Sequence, residues 1–109
     1  MKHIKIYEKY ISKKKPHVGD YILSNVDFFD KKYENFVNSN IGKIIRIYSS
    51  EHGDKADIEY QNISFDILYM FDTNDLNKNK TTIWAKDIIY FSKSKKDVEE
   101  YLLAKKYNL

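Results

Sequence analysis

The strongest constraint on the fold lies in the middle of the chain, where two β-patterned segments flank a cluster of turn-forming residues. Ile41-Gly42-Lys43-Ile44-Ile45-Arg46-Ile47-Tyr48 is rich in β-branched residues and carries apolar side chains on both faces. Ser49-Ser50-Glu51-His52-Gly53-Asp54 follows as a turn cluster. Ala56-Asp57-Ile58-Glu59-Tyr60-Gln61 then alternates, with Ala56, Ile58 and Tyr60 on one face. Together they predict an antiparallel hairpin.

Other elements arrange themselves around it. Val18-Gly19-Asp20-Tyr21-Ile22-Leu23 reads as a turn, with Gly19 at positive φ, leading into a first strand. Between Asp27 and Asn40, Phe29, Tyr33, Phe36 and Val37 recur at helical spacing, and Asn40 with Gly42 offers a stop. Ile63 to Phe71 fits either strand or irregular structure, and Asp72 to Lys80 is a polar loop. Thr81-Thr82-Ile83-Trp84 and Ile88-Ile89-Tyr90-Phe91 read as strands separated by a one-turn break at Ala85-Lys86-Asp87. Ser94, with Asp97 at capping-box distance, opens a closing helix whose apolar face is Val98, Leu102 and Tyr101. The expected organisation is an arm over 1–15, a β domain over 16–91 with a helical insertion near 27–40, and a C-terminal helix over 92–109. In the arm, Ile4, Tyr7 and Ile11 share a helical face, although Ile4, Ile6 and Glu8 also alternate as in a strand.

At 109 residues the chain is one domain. With 10 Tyr, 6 Phe and 1 Trp but few alanines, its core has to be built from rings. Three glycines leave no room for a Gly-rich phosphate loop, and the absence of Cys excludes disulfides, thiolate catalysis and Cys-based zinc sites. No cofactor and no catalytic constellation is expected. No apolar stretch follows Lys2 and Lys5, and the run Ile67–Phe71 is far shorter than a membrane span. A soluble protein without a membrane partner is therefore expected.

The net charge of +3 is unevenly spread. Residues 1–17 hold six Lys and one Glu, residues 18–91 hold eight basic and twelve acidic side chains, and residues 92–109 hold five Lys and three acids. An acidic body between basic ends, with Arg46 as the sole arginine, disfavours nucleic acid lying across the central fold.

Val18-Gly19-Asp20-Tyr21, Ile41-Gly42-Lys43-Ile44 with Ile47, and Trp84-Ala85-Lys86-Asp87-Ile88 resemble SH3-like barrels of the KOW and Tudor type over residues 18–91. The resemblance implies a mainly β, α+β fold: a small SH3-like barrel with a helical insertion after the first strand and a C-terminal helix. The start Ile4-Lys5-Ile6-Tyr7-Glu8 and the end Tyr90-Phe91-Ser92 leading into a Lys-rich helix also resemble small proteins of tailed phages with low-GC genomes. That likeness implies a phage protein in the host cytoplasm or associated with the virion.

Four sets of residues are weighed for function. Tyr21, Tyr48, Tyr60, Trp84 and Tyr90 would hold a protein partner. In Tudor-like barrels such rings form a cage for a methylated cation, with Asp20 or Glu59 as the acidic neighbour. Lys13, Lys14, Lys15, Lys43 and Arg46 would contact phosphates in the nucleic-acid alternative. His3, His17 and His52 lack metal-ligand spacing, although His52 stands beside Glu51 and Asp54. Asp54, Asp57 and Glu59 form an acidic stretch, and alternation places Asp57 and Glu59 on a solvated strand face. The expected function is a non-enzymatic protein-interaction module, the alternatives being a KOW-like nucleic-acid-associated domain or a virion component.

Overall fold

The computed structural model describes residues 15–71 and 79–107. Among them, five strands form one antiparallel sheet: β1 (Tyr21–Ser24), β2 (Gly42–Ser50), β3 (Gly53–Glu59), β4 (Lys80–Trp84) and β5 (Ile88–Ser92). Their order is β4-β3-β2-β1-β5. Helix α1 (Lys31–Ser39) is inserted between β1 and β2, and helix α2 (Lys95–Lys106) follows β5. Single 3-10 turns occur at Leu68–Met70 and Ala85–Asp87. The mainly β, α+β class agrees with the sequence reading.

The sheet does not close into a barrel. β4 and β5 are its two edges, and neither pairs with the other. The reason lies in the turn at Ala85–Asp87, which redirects the chain so that β5 pairs with β1 instead of its sequence neighbour.

The hairpin forms as its pattern dictates. Pairing runs from Lys43↔Glu59 to Ser50↔Gly53, so the turn shrinks to Glu51 and His52. Gly53 takes φ +132, a region open to glycine. A bulge between Ile44 and Arg46 explains the two-faced hydrophobicity of β2. The extra residue lets Ile44 and Ile47, three apart, both face the core.

The inner face of the sheet carries Ile22, Ile44, Ile58, Ala56 and Ile83, all buried. Val26 and Val37 join this core together with Tyr60, Ile67 and Phe71. Its interior is aromatic, as the shortage of alanine requires. Phe36, Tyr60 and Phe71 meet edge to face at 5.7–6.0 Å, and Tyr33 stacks on Phe28 at 4.7 Å. Tyr33 also exchanges a hydrogen bond with the Thr81 hydroxyl of β4. Gly42 is required by close approach: a Cβ there would run into Ile58 Cγ2 and stand 2.9 Å from the Tyr60 ring.

Helix α1 starts later than its periodicity suggests. The Asp30 carboxylate accepts the Tyr33 N–H at 3.1 Å and makes Asp30 the N-cap. Phe29 therefore precedes the helix and is fully exposed, and Phe28 replaces it in the packing. The α2 cap also differs from the expected Ser94 box. Ser94 makes no side-chain cap bond; Ser92 Oγ accepts the Ser94 N–H at 3.1 Å and donates to Asp97 Oδ2 at 2.9 Å.

α2 covers the outer face over β1 and β5. Leu23, Tyr90 and Val98 form this second core, with Tyr101 stacked on Tyr90 at 4.2 Å. The expected apolar face of Val98, Tyr101 and Leu102 is the one used.

Candidate functional site

Register decides which side chains share the outer face, because directly paired residues project to the same side. Tyr21, Lys43, Glu59 and Lys80 form one row across β1-β2-β3-β4. Arg46, Asp57 and Thr82 form the next, and Tyr48, Lys55 and Trp84 the last. The last two rows lie on β2, β3 and β4, away from the β1–β5 half that α2 packs against.

The five rings singled out in the sequence do not gather. Tyr60 and Tyr90 are buried, and they belong to different cores on opposite faces of the sheet. Burial pushes the Tyr60 phenol far above its ordinary value of 10.0, which keeps it neutral in the core. Its hydroxyl points at the Val37 carbonyl, 3.5 Å away. Tyr21, Tyr48 and Trp84 are half-buried on the outer face, and a cation covers each. Lys43 stands 5.6 Å from the Tyr21 centroid, Arg46 4.4 Å from Tyr48 and Lys55 4.9 Å from Trp84. The rings thus hold cations of their own chain. Asp20 is buried and its carboxylate accepts the His17 N–H at 2.9 Å, closing the turn before β1.

The acidic stretch also departs from its solvated reading. Asp57 lies on the outer face as alternation requires, yet it is only 3% exposed. Thr82 Oγ1 donates to it at 2.7 Å and Lys80 Nζ lies at 3.7 Å. Lys80, expected at the end of a loop, is the first residue of β4.

A groove of about 580 Å³ opens at the far end of the hairpin. Four pieces of chain line it: residues 15–18 before β1, Ile47 of β2, residues 52–54 at the hairpin turn, and residues 84–86 where β4 passes into its 3-10 turn. Pro16, Val18, Ile47 and Ala85 supply its apolar lining with Trp84. Val18 is 61% exposed, so its side chain is committed to no core. The groove exists because β2 and β3 extend past the 3-10 turn at Ala85–Asp87, and the chain leading to Gly19 crosses beside them. Gly19 fixes that crossing: at φ +96, its N–H donates to the Ile44 carbonyl at 2.8 Å.

His17, remote in sequence, joins His52 and Asp54 of the hairpin turn in lining this groove. Asp54 accepts a hydrogen bond from Ser49 Oγ at 3.2 Å. Among the described residues no three His, Cys, Asp or Glu side chains are grouped to hold a metal ion. Of the basic set, Lys15 lies in the groove, whereas Lys43 and Arg46 are exposed on the outer face. Lys13, Lys14, His3 and most of the 72–80 loop fall outside the described residues. Sequence reasoning missed Pro16, Val18, Ile47 and Ala85, whose shared groove depends on tertiary crossing and leaves no periodic signal. No described helix is long and apolar enough to cross a membrane.

Comparison with protein-family models, with curated proteins and with solved structures returned no match.

Proposed function

We propose that the chain is a non-enzymatic protein-interaction module of the SH3-like kind, which binds its partner in the groove at the end of the β2–β3 hairpin. The observation that carries this reading is the groove itself: an apolar-lined depression of about 580 Å³ with an exposed valine and a half-buried tryptophan. Concave apolar surface with an aromatic anchor is what small interaction sites use. The strand order β4-β3-β2-β1-β5 and the single 3-10 turn before β5 support the SH3-like reading. The setting we propose, a phage accessory or host-directed protein, rests on the phage-like segments at the two ends of the chain.

Affinity capture with the tagged full chain tests it. Val18→Glu places a charge in the groove without touching the core. The expected result is a partner retained by the wild type and lost by Val18→Glu. Equal capture by both proteins contradicts the proposal.

The nucleic-acid alternative has one observation in its favour. Lys43, Arg46 and Lys55 share the outer face with Tyr48 and Trp84, and rings beside cations suit single strands. Glu59 and Asp57 stand on the same face and oppose it.

A further inference from the structure

We infer that the groove selects an extended protein segment in which an apolar side chain is flanked by carboxylates. This inference rests on the groove being the partner site.

Charge complementarity surrounds an apolar floor. Lys15, Lys86, His17 and His52 line the groove, against the single carboxylate of Asp54. All four are basic residue types, and among the described residues none of them is in an ion pair. The lysines therefore present their charge to whatever enters. Residues 1–14, which precede Lys15 in the sequence, hold five Lys and one Glu. The body of the chain is different in sign: residues 18–91 carry twelve acids against eight basic residues. The basic groove thus stands on an acidic body, and the contrast orients a partner that bears negative charge. The same charge disfavours the chain's own Lys-rich residues 1–14 as occupant.

The apolar floor sets the second requirement. Pro16, Val18, Ile47 and Ala85 offer no side-chain donors or acceptors, so affinity there has to come from buried apolar area. A polyanion without apolar groups would meet the cations and leave the floor uncovered.

Selection from a random peptide display library against the full chain tests the inference, with Val18→Glu and the double variant Lys15→Glu/Lys86→Glu as counter-targets. Peptides with an apolar residue next to Asp or Glu should be recovered. Their affinity should fall about tenfold for the charge-reversed variant, and it should weaken as salt rises beyond about 0.1 M, where the Debye length shrinks below about 10 Å. Neutral or basic peptides that bind through Val18 would overturn the inference and leave the interaction-module reading standing. Failure to recover any peptide sensitive to Val18→Glu would remove both. Displacement of the selected peptides by an oligothymidylate single strand would assign the groove to nucleic acid and overturn the inference.

Discussion

The side-chain amide of Asn38 pairs with both backbone groups of Val26. Val26 N–H donates to Asn38 Oδ1 at 2.8 Å, and Asn38 Nδ2 donates to the Val26 carbonyl at 2.9 Å. One helical residue thereby stands in for a neighbouring strand just past the end of β1, and it fixes α1 over the inner core. Glu34 extends the same anchoring by accepting the Phe28 N–H at 2.8 Å.

Asn38→Ala should therefore cost more than an ordinary surface substitution. Val26 is buried, and both of its backbone groups lose their partner. The expected loss is about 2 kcal/mol in denaturant unfolding. Asn38→Asp keeps the acceptor and loses the donor, so it should fall between Ala and wild type. A change within about 0.5 kcal/mol for Asn38→Ala, the range of neutral surface sites, would refute the anchoring role.

Gly42→Ala tests the close approach of β2 to the aromatic core. The new Cβ meets Ile58 Cγ2 and the Tyr60 ring, both fully buried, so the cost should be about 1–3 kcal/mol. Combining it with Ile58→Ala removes the Cγ2 methyl at the collision. The pair should cost less than the sum of the single changes, by at least about 0.5 kcal/mol. Strict additivity would show that the two positions do not touch.

These two positions show how far the sequence was readable. The hairpin, the 3-10 turn at Ala85–Asp87 and the α2 face over Val98 were visible because each is a local period or turn signal. From sequence alone Gly42 reads as a helix stop, since nothing local reveals that Ile58 and Tyr60 lie against it. Asp57 was placed on the correct face, but its burial comes from Lys80 and Thr82, residues of another strand. The five candidate rings share only residue type, and pairing register separates them: Tyr60 faces inward, Tyr90 packs under α2, and Trp84 lies at the groove. Tertiary crossing of the chain before β1 created the groove, and no pattern within Pro16–Val18 foretells it.

Stability should decline at alkaline pH through the buried phenols. Burial raises Tyr60 and, to a lesser degree, Tyr33 above the ordinary 10.0, while both ionise near that value in the unfolded chain. Below pH 10 folded and unfolded states hold these protons equally, and stability is complete. Above it the unfolded chain releases protons that the folded state keeps, so stability falls as pH rises, by up to about 1.4 kcal/mol per unit for each group. Unfolding free energies of wild type and Tyr60→Phe, measured on either side of pH 10, should diverge in slope, with the variant less sensitive. Parallel curves would contradict burial of the Tyr60 hydroxyl.

Thr82→Val should weaken the Asp57 site without abolishing it. The carboxylate loses the 2.7 Å bond from Thr82 and keeps Lys80. The expected cost is about 1–2 kcal/mol, because the acceptor is a buried charge. Asp57→Ala should cost more, since it leaves Lys80 without this carboxylate. Equal effects of the two variants would place the stabilisation in Thr82 alone.

Amide chemical-shift mapping of the full chain with a display-selected peptide shows whether the hairpin-end groove is the binding surface. Perturbations are expected at Val18, Ile47, Gly53 and Ala85, with the amides of α2 unmoved. Perturbations concentrated on α2, or on Lys43 and Arg46 of the outer face with Val18 unmoved, would contradict a binding role for the groove.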